Sequence, residues 1–261
     1  MKIGIIGGSG VYDSGLITDE KKQKVHTPYG APSDLVTTGK MGEVEIVFLP
    51  RHGENHEFNP TNVNYQANIW AMKELGVTHI LAPSAVGSLK EEYEPGDMVF
   101  TDQFIDRTTK RKSTFYEGIQ VAHVGVAEPT CPEIRRLLAE EAEKLGIKYH
   151  EIGTCVTIEG PRFSTKAESK MFQAWDGDII GMTMVPECVL AREAEICYAT
   201  IAMVTDYDVW KEGEEVSNQK VLETMKENIG KVKKLLQTTI PKIAKLERQC
   251  SCKNAMDGAL M

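Results

Sequence analysis

Short apolar runs alternate along the chain with stretches of helical period, and the runs end in glycine, proline or charged residues. The first, Lys2 to Ile6, is rich in isoleucine and stops at Gly7-Gly8-Ser9-Gly10, a tight turn that only glycine accommodates freely. Leu35 to Leu49 alternates about Gly42 like a hairpin and ends at Pro50-Arg51-His52-Gly53. Thr61 to Leu75 keeps a helical period closed by Gly76. The spacing then predicts a strand over His79–Pro83 leading into a loop, Ser84-Ala-Val-Gly-Ser88, and a second strand from Asp97 to Thr101. Asp102 to Gly118 is polar and irregular, which predicts a long surface loop. Pro132 opens and Gly146 closes an amphipathic helix. A strand over Tyr149–Ile158, a helix over Thr165–Ala174, a short strand at Asp178–Ile180 and a helix opened by Pro186 follow. Cys197 to Val204 is an apolar strand, and Ser217 to Leu246 a long helix with paired glutamates and lysines. Alternation of this kind through the whole length predicts one α/β domain: a central mixed, mostly parallel twisted sheet flanked by helices. There is no internal repeat and no linker.

Composition narrows the setting. Apolar residues make up 41% and charged residues 26%, the balance of a soluble globule, and 261 residues fit a single α/β core. Thirty basic against 38 acidic residues leave a net charge of −8, the wrong sign for holding nucleic-acid phosphates. No apolar run approaches a membrane span and no hydrophobic leader follows Met1, so no membrane partner and a cytoplasmic location are expected. Six cysteines stand at 131, 155, 188, 197, 250 and 252. In a reducing compartment they would remain thiols, with intracellular hyperthermophile proteins the exception. Cys250-Ser251-Cys252 is too closely spaced for a common zinc half-site and has no second pair near it in sequence, so it reads as a strained disulfide or two idle thiols, the disulfide being favoured. No metal is expected, since no cysteine cluster, His-x-x-x-His helix or EF-hand loop is apparent; His52 and His56 share four-residue spacing, but Gly53 and Pro60 oppose a helix there.

The candidate chemistry gathers where strands end. Thr205-Asp206-Tyr207-Asp208 directly follows the apolar strand, where an open α/β sheet presents groups to a ligand. Two adjacent acids in a dry site repel, and one tends to keep its proton at neutral pH. Turn or cap roles remain the alternative for both. Ser9, Arg51 with His52, Ser84 with Ala85, and Thr183 supply hydroxyls, backbone N–H groups and one fixed cation, which is how proteins hold phosphate without a metal. The glycine loop lacks dinucleotide spacing and no Walker motif occurs.

Taken together, Gly7-Gly8-Ser9-Gly10, Arg51-His52-Gly53, Asn64-Tyr-Gln-Ala-Asn-Ile-Trp70, Ser84-Ala-Val-Gly-Ser88, Glu159-Gly-Pro-Arg-Phe163, Gly181-Met-Thr183 and Thr205-Asp-Tyr-Asp208 resemble the trimeric purine nucleoside phosphorylase family, and within it the branch that acts on 5′-methylthioadenosine. The likeness runs in order to about Ile240. It implies a phosphate site of Ser9, Arg51, His52, Ser84, Ala85 and Thr183. Phe163 and Met182 would touch ribose and base, and Ser164, Asp206 and Asp208 would line the purine. Val221, Leu222 and a neighbouring subunit's His123 would wall an apolar pocket for the methylthio group, although His123 also fits a packed or surface histidine. The family's 6-oxopurine members carry glutamate where Ser164 stands and asparagine where Asp206 stands.

The implied reaction is phosphorolysis. Inorganic phosphate, a co-substrate rather than a cofactor, attacks C1′ while Asp206, kept protonated by burial and by Asp208, donates to purine N7. A homotrimer or a dimer of trimers is implied. A broader purine nucleoside phosphorylase for adenosine, inosine or guanosine, a hydrolase and a non-catalytic purine sensor remain open alternatives. The tail from Arg248 departs from the common pattern and resembles archaeal relatives ending in Cys-x-Cys.

Overall fold

The computed structural model describes residues 1–8, 10–11, 16–213 and 218–261, the last segment with side chains from 221 onward. Eleven strands in these residues form one mixed sheet. Its centre is built from β1 (Lys2–Gly7), β4 (Val44–Pro50), β5 (Val77–Ser88) and β11 (Cys197–Asp206). β1 runs parallel between β4 and β5, and β11 lies parallel on the other edge of β5. Their C-terminal ends therefore face the same way. The hairpin expected around Gly42 is present as β3 (Val36–Met41) paired antiparallel with β4, and β2 (Thr18–Gln23) closes that edge.

β5 is the element that shapes the ligand crevice. One of its edges pairs with β1 only as far as Leu81, opposite Ile5, and with β10 (Ile179–Gly181) only at Gly87 and Ser88. Between these points residues 82–86 have no strand partner on that edge among the described residues, while the other edge stays paired to β11 throughout. Ser84 and Ala85 thus sit inside a 12-residue strand, opposite Ala202 and Met203, and not in the strand-end loop that the glycine and serine residues suggest. The opening is a gap in the sheet.

Helices cover both faces. α2 (Pro132–Lys144) and α5 (Asn218–Ile243) pack over Ile3, Ile5, Phe48, Ile201 and Met203. α1 (Tyr65–Glu74) and α4 (Met184–Glu193) pack over Ile6, Val47, Leu49, Ile80 and Val204. The odd and even residues of β1 serve opposite cores, as a strand buried on both faces requires. α3 (Lys166–Ala174) begins at Thr165 with a reciprocal capping box to Glu168, the arrangement that ends the preceding loop sharply. No helix of the described residues is long and apolar enough to cross a membrane.

Three sequence expectations change. Asp102–Gly118 is not all loop, because β7 (Gln103–Arg107) pairs parallel with β9 (Thr154–Ile158) and carries the sheet outward. Its polar composition fits an edge strand. The strand expected over Tyr149–Ile158 breaks at Gly153 into β8 (Tyr149–His150) and β9, and the two halves join different neighbours; among the described residues β8 pairs only with β6 (Met98–Val99). A Cβ on Gly153 would lie 2.7 Å from Val99 Cγ1, which makes this a close crossing.

The third correction concerns sulfur. Cys250 and Cys252 do not stand alone. Cys131 and Cys197, far away in sequence, join them so that four sulfur atoms lie within 4.8 Å of one another. A cysteine cluster therefore exists, contrary to the sequence reading, because that reading searched for ligand pairs along the chain and the fold assembles them across it.

On α5, Val232, Leu235, Leu236, Ile240 and Ile243 form one fully buried stripe at helical spacing. Leu236→Ala is expected to cost about 2–5 kcal/mol, from lost burial plus a residual cavity, read as a lowered denaturant midpoint at an unchanged slope.

Candidate active site

Where β1 and β5 part, Arg51 replaces the missing strand ladder. It follows β4 directly, its side chain is 2% exposed, and Nη2 donates to Ile6 O of β1 at 2.9 Å while Nη1 donates to Pro83 O of β5 at 3.1 Å. Nε and Nη2 also grip the fully buried Glu187 carboxylate at 2.7 and 2.8 Å. Burial opposes the guanidinium's charge, but the Glu187 carboxylate outweighs it and holds the pKa above its ordinary value. Of five N–H groups four are committed, so a single N–H on Nη1 remains for a ligand. The fixed cation of the sequence reading is half of a buried ion pair.

The other anion-site candidates lie around this pair. His52 is buried, its Nδ1 lies 2.9 Å from Phe58 O, and its ring stacks on His56 with centroids 4.5 Å apart. Desolvation first, then the Arg51 charge, push its pKa down to about 4. It is therefore neutral near pH 7 with its proton on Nδ1, and Nε2 offers a lone pair to a phosphate hydroxyl. Thr183 stands at the N-cap of α4 yet makes no capping bond with its side chain, which leaves its hydroxyl free for something other than the helix. Ser84 is half-buried and Ala85 exposed on the unpaired stretch of β5. Ser9 lies outside the described residues.

The acids close the far side. Asp206 is the last residue of β11, opposite Gly87, where a Cβ would come within 3.0 Å of Asp206 Oδ1. That oxygen accepts from the Asp208 backbone N–H at 2.8 Å. The Thr205 hydroxyl is 2.7 Å from Asp206 Oδ2 and 3.2 Å from Val86 O. The single hydroxyl proton is shared between these two acceptors. Asp208 is 3% exposed, and burial, reinforced by the Asp206 charge, raises its pKa, with the hydroxyls of Ser169 and Ser164 and the Val209 N–H easing the shift only in part. Asp208 Oδ2, Ser164 Oγ and Ser169 Oγ are all buried without a hydrogen bond of good geometry, a cost that a bound polar ligand would relieve.

Met182 is fixed from behind by a cation that sequence reading passed over. Arg111 donates through Nη1 to Met182 O at 2.5 Å, Val185 O at 2.7 Å and Tyr65 Oη at 3.2 Å. Its Nη2 and Nε hold Glu159 O and Glu159 Oε1 at 2.7 and 3.1 Å. A Cβ on Gly160 would strike Met182 Sδ at 2.6 Å, so the Glu159-Gly160-Pro161 turn and Met182 are packed against each other. Phe163 is 44% exposed beside buried Ser164. Val221 is half-buried, Leu222 is 63% exposed and His123 is exposed, so within one chain these three do not enclose a pocket. A separate cavity of about 510 Å³, lined among others by Tyr29, Asn64, Tyr65 and Arg111, contains none of the predicted residues.

A family model described as "Phosphorylase superfamily" matches residues 2–241, the span that carries every one of these groups. The chain belongs to the phosphorylase superfamily. It is similar to S-methyl-5′-thioadenosine phosphorylase of Pyrococcus abyssi, 58% identical over 98% of this chain and 97% of the relative. The enzyme of the same name from Thermofilum pendens is 55% identical over 100% and 99%. In three dimensions it is similar to methylthioadenosine phosphorylase from Schistosoma mansoni in complex with adenine, with a TM-score of 0.95, 40% identity, and coverage of 99% of this chain and 98% of that one.

Within the superfamily fold, the residues that sequence reasoning missed are Glu187, Arg111 and Ser169. A signal for Glu187 existed: it is the only charge between Gly181 and Ala191. Glu187→Gln removes the counter-charge of a fully buried guanidinium and is expected to cost about 3–5 kcal/mol, measured as a fall in the urea midpoint against the unaltered chain.

Proposed function

We propose that this chain catalyses the phosphorolysis of 5′-methylthioadenosine to adenine and 5-methylthioribose 1-phosphate, as a pentosyltransferase of purine and methionine salvage. The observation that carries the reading is the set of buried polar atoms without a well-formed hydrogen bond, Asp208 Oδ2, Ser164 Oγ and Ser169 Oγ, in a buried acid pair at the end of β11 where burial raises the Asp208 pKa. An adenine amino group donates to carboxylate and hydroxyl oxygens, whereas the carbonyl of a 6-oxopurine would face them with like polarity. The names of the relatives support the same substrate.

Phosphate fits the gap between β1 and β10. Thr183 Oγ1, the open backbone edge of Ser84 and Ala85, the remaining Arg51 N–H and the His52 ring are the groups to hold it, and Ser9 belongs with them by resemblance. Because Glu187 balances Arg51, most of the hold comes from oriented dipoles. In the mechanism, the C1′–N9 bond breaks first and leaves a ribosyl-cation-like centre, which the phosphate dianion stabilises and then captures. The purine leaves with a proton delivered to N7 from the acid pair, Asp206 being the donor and Asp208 the group that keeps the proton in place. No metal or organic cofactor takes part.

Assembly completes the pocket. Exposed Phe163, Leu222 and His123 support a homotrimer, or a dimer of trimers, in which His123 of one subunit covers the 5′ end of the substrate in the next.

The experiment is a comparison of 5′-methylthioadenosine, adenosine and inosine in phosphate buffer, with the released bases separated by chromatography. Adenine release fastest from methylthioadenosine, with little hypoxanthine from inosine, is the expected result; equal release from inosine contradicts the assignment of Ser164 and Asp206. Asp206→Asn is expected to lower kcat by about 10²–10⁴-fold with a smaller change in KM. Since the acid must be protonated, the unaltered enzyme's kcat should fall as pH rises. That limb should be absent from the residual activity of Asp206→Asn.

A further inference from the structure

Behind the purine-facing groups stands a hydroxyl out of reach of any ligand in the crevice. Ser164 and Asp206 are each 8% exposed and Asp208 3%, whereas Ser169 is 0% exposed. Ser169 lies in the first half of α3, and its backbone N–H makes the ordinary helical bond to Thr165 O at 2.9 Å. A buried helical serine commonly returns its hydroxyl to the carbonyl four residues back. Here that bond is not made: Ser169 Oγ lacks a hydrogen bond of good geometry, and so does Asp208 Oδ2. The two groups face each other. Against burial, which raises the Asp208 pKa, the Ser169 hydroxyl is the strongest of the groups that stabilise the carboxylate, ahead of the Val209 N–H and the Ser164 hydroxyl.

We propose that Ser169 is a positioning residue whose hydroxyl holds the Asp208 carboxylate in place as an acceptor for the exocyclic amine of an adenine-type purine, leaving Asp206 as the proton donor. The inference rests on the phosphorolysis proposed above. Both partners are fixed from outside the crevice. Thr165 and Glu168 cap α3 reciprocally, and Arg162 grips Glu168 Oε2 and Oε1 at 2.8 and 2.7 Å, which ties the loop of Phe163 and Ser164 to the same turn. Three residues beyond Ser169, Phe172 is buried against Leu89, Val156 and Ile180, and residues at this spacing share one helix face. Asp208 sits at a φ of 49°, in the left-handed region that aspartate tolerates, with its N–H on Asp206 Oδ1 at 2.8 Å. Two residues on, Trp210 Nε1 donates to Ser88 O at 2.8 Å and anchors this turn to β5. Only a small shift is needed to close the bond, as catalytic hydrogen bonds tighten when substrate binds.

The charge that faces Asp208 is Asp206 at the end of β11. From α3 and the loop before it come the hydroxyls of Ser169 and Ser164, from the following turn the Val209 N–H, and from β5 only Gly87, which has no side chain. Burial and the Asp206 charge both press Asp208 toward the neutral acid, which would offer the amine a donor where an acceptor is needed. A hydrogen bond to the charged form opposes them. Loss of the Ser169 hydroxyl therefore raises the Asp208 pKa further, and a higher pH is required before Asp208 accepts. The acid limb of kcat/KM moves upward.

The test is the pH profile of kcat/KM for 5′-methylthioadenosine in phosphate, with adenine affinity followed separately by calorimetry, for the unaltered chain, Ser169→Ala, Ser169→Thr and Thr239→Val. In Ser169→Ala the acid limb is expected to move up by about 1–2 pH units, with kcat/KM on that limb lowered about 10–100-fold and adenine bound more weakly at acid than at alkaline pH. Ser169→Thr keeps the hydroxyl and should hold the limb near its original place. Thr239→Val removes another fully buried hydroxyl without a well-formed bond, near the C-terminal end of α5, and should leave the limb unmoved. An unmoved acid limb in Ser169→Ala, folded by circular dichroism, overturns the proposal, and so does an equal shift in Thr239→Val. If the unaltered chain releases no adenine, the phosphorolysis reading is what fails, and the adenine affinities then decide on Ser169: equal values for Ser169→Ala and the unaltered chain at every pH overturn its role.

Discussion

The site depends on one buried ion pair. β1 and β5 are hydrogen-bonded through Leu81 and then part, and a gap in the middle of a sheet exposes backbone groups that must be satisfied. Arg51 bridges the gap through Ile6 O and Pro83 O while Glu187, anchored in α4 and also held by Tyr198 Oη at 2.9 Å, supplies the charge that allows a guanidinium to be buried there. Glu187 sits in the first turn of its helix, where the dipole favours a carboxylate. Strand, gap and helix are fixed by a single fork of hydrogen bonds. Such a pair contributes less to net stability than to geometry, because desolvation consumes much of its Coulombic gain.

On the opposite side the arrangement inverts: polar atoms are buried without a well-formed hydrogen bond. Asp208 Oδ2 just past β11, Ser164 Oγ just before α3 and Ser169 Oγ within it are buried at a cost that the packed cores on both faces of the sheet can carry. An anion cradle facing a buried acid pair is an arrangement for placing a nucleophile on one face of a sugar and a leaving base on the other. Preorganised donors of this kind cost no reorganisation when the bond breaks. Arg111 extends the same logic to Met182, whose carbonyl it holds from the loop after β7.

The periodicity of the chain made the architecture legible. The hairpin about Gly42, the helix opened by Pro132 and the buried strand ending at Asp206 are set by local patterning, and the structure has them within a few residues. Ser84 and Ala85 were legible as candidates but not as strand residues, since Gly87 and the serines read locally as a loop while the β11 ladder decides the outcome over ten residues. Arg51 was legible as a cation but its partner was not, because Glu187 is 136 positions away and only the fold brings them together. The same limit hid the cysteine cluster: a Cys-x-Cys tail has no local mate, and its mates stand at the ends of a helix and a strand. Residue types at strand ends announce chemistry, whereas pairings across the fold set how that chemistry is tuned.

The most direct measurement is the identity of the sugar product, followed by ³¹P NMR while the enzyme consumes 5′-methylthioadenosine in phosphate. The account predicts 5-methylthioribose 1-phosphate accumulating in step with adenine, and no turnover when phosphate is replaced by a non-nucleophilic buffer. Free 5-methylthioribose formed at a rate independent of phosphate would contradict it, for the gap beside Arg51 would then serve water rather than an anion.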